Sequence, residues 1–337
     1  MADDLLLDIK GLVIEATSYP PGEPPKDVTL VHGVDVQLRR GKVLGLIGES
    51  GAGKSTIGLS SMSYGRGGVR LTGGAIGLNG RDIRTATPGA LRALRGKEVT
   101  YVSQSAAASF NPAKRLMEQV IETSLSHGIM SRTQAEARAR GLFRKLGLPN
   151  PETIGNRYPH QVSGGQLQRV MTAMVLCPKP DLVVFDEPTT ALDVTIAGQI
   201  LQLIRDLVRE RSMGLILISH DLGVIAQNVS RMMVMYGGMV VESGPTREVF
   251  TRRAHPYTQG LFGSRPQLGM AAHQGGGRRA RLAAIPGNVP ELRHMPAGCP
   301  FAGRCPVAQP TCGDQKPADV RVAPDHHARC VRLEAVA

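Results

Sequence analysis

The sequence predicts an α/β fold built round a largely parallel sheet. Three observations carry this. The apolar run Val43-Leu44-Gly45-Leu46-Ile47 leads straight into a glycine-rich loop and a helix from Lys54. A second run, Leu182-Val183-Val184-Phe185, ends in two acids. A third, Leu215-Ile216-Leu217-Ile218-Ser219, is separated from the second by a helical stretch at about 194–212. Short apolar runs joined through helices are the pattern of βαβ units, whose strands are buried on both faces.

The other elements follow in order. Residues 5–14 and 28–38 alternate apolar and polar positions and read as strands. Between them lies a stiff loop, Tyr19-Pro20-Pro21-Gly22-Glu23-Pro24-Pro25. Val99-Thr100-Tyr101-Val102-Ser103 is a further strand ending at Gln104. Residues 115–147 are polar with helical spacing; Arg132 to Leu148 reads as a helix, with Thr133 as N-cap and Gly147 near its stop. Residues 232–242 suggest a strand pair round Gly237-Gly238. Beyond about residue 262 the chain turns rich in Gly, Pro and Arg without sustained periodicity, as in a linker or wrapping segment. The reading therefore divides the chain into 1–262 and 263–337. No internal repeat is found.

A chain of 337 residues, 42% hydrophobic and 20% charged, is ordinary for a soluble protein. No apolar run approaches the roughly 18–20 residues that span a bilayer. The start, Met1-Ala2-Asp3-Asp4, lacks the basic opening of a secretory signal, which points to the cytosol. The net charge of +12 raises the question of nucleic acid. Many of its cations fall in a helical region (Arg132, Arg138, Arg140, Arg144, Lys145) and the tail, with no aromatic-interleaved stripe and no helix-turn-helix pattern. No nucleic-acid role is expected.

Gly48-Glu49-Ser50-Gly51-Ala52-Gly53-Lys54-Ser55, continuing into Thr56, fits a phosphate-binding loop. Its glycines let successive N–H groups turn inward, and the following helix presents its positive end to the same anion. Lys54 reaches the β- and γ-phosphates, and Ser55 offers a hydroxyl to Mg²⁺. Asp186 and Glu187 end an apolar strand, at the edge where open α/β sheets place ligands. Asp186 is expected to hold Mg²⁺ through water, and Glu187 to orient or deprotonate the attacking water. Gln104 can touch both the metal and that water. His220 follows its strand closely enough to steady a γ-phosphate. Read singly, Gln104 and His220 are strand-end polar caps.

Ser163-Gly164-Gly165-Gln166 precedes Asp186 by 20 residues. Taken with the phosphate loop, Gln104, the acidic strand, Ala191-Leu192-Asp193 and His220, it resembles the ATP-binding cassette (ABC) ATPase domain over roughly residues 5–262. The resemblance implies a mixed-sheet core, an α-helical subdomain, an N-terminal antiparallel part and a head-to-tail dimer that sandwiches two ATPs. Ser163 and the glycine amides then contact the ATP held by another cassette, and Asp193 belongs to the D-loop. Two positions depart from the family pattern. Val162 stands where Leu is usual, and the adenine-stacking position falls near Ala16, with Tyr19 close enough to substitute.

The tail carries His255-Pro256-Tyr257-Thr258, Ile285-Pro286-Gly287 and Gly298-Cys299-Pro300-Phe301-Ala302-Gly303-Arg304-Cys305-Pro306. These resemble the extension of oligopeptide and dipeptide importer ATPases. That family implies ATP hydrolysis coupled to peptide uptake, two separate permease subunits, an extracytoplasmic binding protein and a second cassette, most readily a homologue. It places the chain on the cytoplasmic face of the membrane. Alternatives are import of another solute such as nickel, or a soluble ABC ATPase with an iron–sulfur sensing role. Cys299, Cys305, Cys312 and Cys330 lie in the last 39 residues, while Cys177 stands alone as a packed hydrophobe. Without a C-x2-C knuckle, and with Pro-flanked turns, four thiolates suit a 4Fe–4S cluster; His326 and His327 leave a zinc site as the alternative.

Overall fold

The computed structural model describes residues 4–188, 194–264 and 284–333. Strands β1 (Leu5–Ser18) and β2 (Lys26–Arg39) form an antiparallel pair across the Pro-rich loop. Strand β3 (Val43–Ile47) runs through the phosphate loop into helix α1 (Lys54–Ser60). Strands β4 (Val69–Leu78) and β5 (Arg81–Asp82) complete a four-stranded antiparallel sheet, ordered β2-β1-β4-β5. The sequence reading omits β4, because Gly73, Gly74 and Gly77 break its alternation.

After α2 (Pro88–Leu94) and β6 (Val99–Val102) the chain enters a helical layer. It consists of α3 (Leu116–Ser126), α4 (Arg132–Lys145) and α5 (Gly164–Leu176). The N-cap of α4 is Ser131, not Thr133. Ser131 Oγ accepts from the Gln134 N–H, and Gln134 returns a bond to the Ser131 N–H, a reciprocal box that Thr133, inside the helix, cannot make. Cys177 is buried below this layer beside Ser124, and burial pushes its thiol pKa up, as suits a packed side chain.

Strand β7 (Leu182–Asp186), helix α6 (Val194–Arg211), strand β8 (Gly214–Ile218) and helix α7 (Leu222–Asn228) then build the parallel centre. Strands β9 (Arg231–Tyr236) and β10 (Met239–Pro245) follow as a hairpin through Gly237-Gly238, leading to α8 (Thr246–Arg252) and α9 (Pro256–Gly263). All residues of β3, β7 and β8 are buried. Leu182, Val184, Ile216 and Ile218 pack toward Leu7, Ile9 and Val36 of the antiparallel sheet. Val183, Phe185, Leu215 and Leu217 join the core of the helical face with Phe143, Val170 and Ile204. An apolar run with no polar alternation is what a strand covered on both sides requires.

Of the tail, residues 284–298 are mostly irregular, as expected; positions 265–283 lie outside the described residues. A short helix, α10 (Thr311–Asp314), precedes a hairpin of β11 (Val320–Ala323) and β12 (His326–Ala328). Strand β12 pairs with β10, so the main sheet runs β11-β12-β10-β9-β3-β8-β7-β6 and the tail supplies its edge. Glu242 of β10 fixes this joint. Its fully buried carboxylate accepts from the Ala254 and His255 N–H groups, both at 2.9 Å, and lies 2.8 Å from His326 Nε2 of β12. Leaving buried hydrogen-bonding groups without their partner costs about 1–3 kcal/mol. Glu242→Ala is expected to lose stability of that order in urea unfolding, and Glu242→Gln less; an unchanged midpoint for Glu242→Ala would show that the joint does not bear on stability.

Candidate nucleotide site

The site assembles where β3, β6, β7 and β8 end. Gly48 has φ 147°, and a Cβ there would lie 2.1 Å from the Met235 carbonyl oxygen, so the loop can leave β3 only through glycine. Gly53, at φ 96°, turns the chain into α1. Lys54, 8% exposed, donates from Nζ to the backbone carbonyls of Gly48 and Glu49, each at 2.8 Å. Burial lowers its pKa, while the nearby carboxylates of Glu187, Asp186 and Glu49 favour its charge.

Asp186 is buried at the end of β7 and accepts a hydrogen bond from the Tyr101 hydroxyl. The same phenol bonds the Ser55 side chain, and burial, followed by Asp186, pushes its pKa well above the usual range. Tyr101 therefore stays protonated as a donor between two prospective Mg²⁺ ligands. Glu187, at φ 52°, ties its N–H to the Ile218 carbonyl at 3.0 Å. One carboxylate oxygen accepts from Gln104 Nε2 at 2.8 Å, and the other lies 3.0 Å from His220 Nδ1.

Lys54, Ser55, Gln104, Asp186, Glu187 and His220 line one cavity of about 600 Å³ with Leu30, Leu292, Ser50, Gly51, Ala52 and Thr56. It offers a glycine-rich loop, one lysine, an acid–hydroxyl–amide set for a hard cation (Asp186, Ser55, Gln104) and a carboxylate beside them. That combination can bind a polyphosphate with Mg²⁺ and activate a water.

An ABC transporter family model matches residues 31–190, and the oligopeptide/dipeptide transporter C-terminal region matches residues 241–312. The oligopeptide transport ATP-binding protein OppD of Salmonella typhimurium is 39% identical over 300 residues, covering 88% of this chain and 86% of its own. The dipeptide transport ATP-binding protein DppD of Bacillus subtilis is 36% identical over 329 residues, covering 96% and 94%. The chain belongs to the ABC transporter ATP-binding proteins. The dimeric ATP-binding cassette MJ0796, solved with ADP and Pi, shares the fold: TM-score 0.64, 24% identity, 72% of this chain and 99% of its own.

The signature of this ABC ATPase lies outside the cavity lining. Ser163 caps α5: its Oγ accepts from the Gln166 N–H, and the Gln166 amide oxygen accepts from the Ser163 N–H. Gln166 is thus spent on the cap, while Ser163 and Gly164 stay exposed and Gly165 half-exposed. Tyr19 is 76% exposed and does not line the cavity. Asp193 lies outside the described residues.

The four tail cysteines line one pocket with His255, Pro256 and Phe301. Burial raises the thiol pKa of Cys299, to about 11, and also those of Cys305 and Cys330; the neighbouring cysteines add to each. Among the described residues no group of three or more His, Cys, Asp or Glu side chains is arranged to hold a metal ion. The zinc alternative loses its histidines. His326 is buried against Glu242, His327 lies 3.6 Å from Asp319, and neither lines the cysteine pocket.

Sequence reasoning missed Tyr101, Tyr257, Leu292 and Arg304. The Tyr257 hydroxyl accepts from the Glu49 N–H at 2.8 Å, and Arg304 forks the Glu49 carboxylate at 2.7 and 3.2 Å. Tyr257 and Arg304 stood inside recognisable tail motifs, yet nothing local in those motifs pointed back to the phosphate loop.

Proposed function

We propose that this ABC ATPase is the ATP-hydrolysing subunit of a bacterial importer of di- or oligopeptides. The observation that carries the reading is the convergence of Lys54, Asp186 and a doubly held Glu187 on one phosphate-loop cavity. The peptide class rests on OppD and DppD and on the oligopeptide/dipeptide C-terminal region. The chain divides into an ATPase domain, 1–262, and an extension, 263–337.

In this reading the loop N–H groups and Lys54 bind the β- and γ-phosphates. Ser55, Asp186 and Gln104 would hold Mg²⁺, which would supply positive charge against that developing on the phosphates. Glu187 takes the proton of the attacking water. Gln104 and His220 fix both Glu187 oxygens, so the base is already oriented, and His220 faces the γ-phosphate. Tyr19 stacks on adenine only if its loop folds over the cavity. Exposed Ser163, Gly164 and Gly165 serve a second cassette, with Asp193 at the same interface; that cassette is a homologue rather than an identical copy. Two permease subunits and an extracytoplasmic peptide-binding protein complete the importer. On the strength of its transport relatives the chain sits peripherally on the cytoplasmic face; among the described residues no helix is long and apolar enough to cross a membrane.

The finer reading of the tail is a 4Fe–4S cluster on Cys299, Cys305, Cys312 and Cys330. Four thiols round one pocket, without single-ion closure, are compatible with a cube whose ligands stand at separate corners. Protein purified without oxygen is expected to be brown, with about four irons and four sulfides per chain; colourless, iron-free protein rejects the cluster.

Two substitutions test the ATP site. Glu187→Gln should retain Mg-ATP binding yet slow steady-state hydrolysis by roughly 10²–10⁴-fold, the worth of a general base; near-normal turnover would remove Glu187 from that role. Tyr101→Phe leaves Asp186 without its phenol donor and Ser55 without the phenol oxygen it bonds. It should raise the Mg²⁺ concentration for half-maximal hydrolysis about tenfold, as loss of groups that orient metal ligands does. An unshifted Mg²⁺ titration would mean that Tyr101 only packs.

A further inference from the structure

The phosphate loop contains a carboxylate whose position is at odds with its neighbours. Glu49 is the second loop residue, and a charged oxygen turned inward there would repel a triphosphate and compete for Lys54, whose charge it already influences. It is turned outward instead. From Gly48 through Thr56, Glu49 is the one residue that does not line the cavity.

Arg304 accounts for this. It reaches the loop from 255 residues away in the chain, with a side chain 8% exposed. Both Nη atoms engage the Glu49 carboxylate, at 2.7 and 3.2 Å. Nη1 also donates to the Tyr236 hydroxyl at 3.1 Å, and Nε to the Pro286 carbonyl at 2.8 Å. These bonds lock the fork in one plane. Tyr257 completes the grip by accepting the Glu49 N–H. A guanidinium is suited to this task because it meets both carboxylate oxygens at once, while an ammonium supplies only a point charge.

We propose that Arg304 is a positioning residue of the ATP site, contributed by the extension: it neutralises Glu49 and holds its carboxylate out of the phosphate cradle. The inference rests on the nucleotide reading above. It predicts that the harm done by losing Arg304 comes from Glu49, so that removing the Glu49 charge relieves it.

The test is a double-mutant cycle on the full chain, read as the Kd for Mg-ATP by equilibrium binding of a fluorescent ATP analogue. Arg304→Ala is expected to raise Kd at least about tenfold. In a Glu49→Gln background the same change should raise it about twofold or less. Arg304→Lys should fall between wild type and Arg304→Ala. Wild-type affinity in Arg304→Ala overturns the proposal, and so does an equal shift in both backgrounds, which is what a purely structural role gives. If Arg304→Ala does not fold, Arg304→Gln carries the same cycle with the same two outcomes. Lys54→Ala separates the two levels: if wild type and Lys54→Ala fail alike to bind Mg-ATP, the nucleotide reading itself falls.

Discussion

Three five-residue strands, β3, β7 and β8, are buried at every position, and the rest of the molecule follows from that constraint. A parallel strand of this kind cannot face water on either side. One side is covered by the antiparallel sheet through Leu7, Ile9 and Val36, the other by helices through Phe143, Val170 and Ile204. Polar groups then find room only at the strand ends. The phosphate loop leaves β3, Asp186 and Glu187 end β7, and His220 follows β8, so the requirement for burial itself gathers the chemistry at one edge.

That edge concentrates charge in little space. Lys54 is almost wholly buried, and burial alone works against its ammonium. Asp186, Glu187 and Glu49 counter this, yet the same acids would oppose a polyphosphate. Each is restrained by a neutral or cationic partner: Asp186 by Tyr101, Glu187 by Gln104 and His220, Glu49 by Arg304. The direction of each carboxylate is thus set by a neighbouring side chain, and for Asp186 and Glu49 that neighbour, Tyr101 or Arg304, has no chemical role of its own in the proposed reaction.

What could be read in the sequence divides along the same line. Strand β3 matches its apolar run, and β7 and β8 do so within a residue, because complete burial demands an unbroken run. The phosphate loop, the acidic strand end and the signature turn were visible because each places its groups through local backbone geometry. Partners set by tertiary approach left no such trace. Tyr101 looks like any aromatic strand residue until β6 pairs with β7, and Arg304 like any tail cation until the extension folds back. Strand β4 hid behind its glycines, and the cap of α4 was misplaced by two residues because Ser131 and Thr133 are both competent caps.

The start of the tail was expected to be a linker or an irregular wrapping segment. Further along the tail, strand β12 extends the main sheet through Glu242, Leu292 lines the nucleotide cavity, and Arg304 meets the phosphate loop. These contacts are of three kinds: backbone pairing, apolar lining and an ion pair. Arg304 stands directly before Cys305, in the turn where the Arg304 N–H bonds the Phe301 carbonyl and the Cys305 N–H that of Ala302. The same turn therefore sets the direction of a thiol toward the cysteine pocket and of a guanidinium toward Glu49. Whatever fixes that turn fixes both, which makes the extension part of the nucleotide site's architecture rather than an appendage to it.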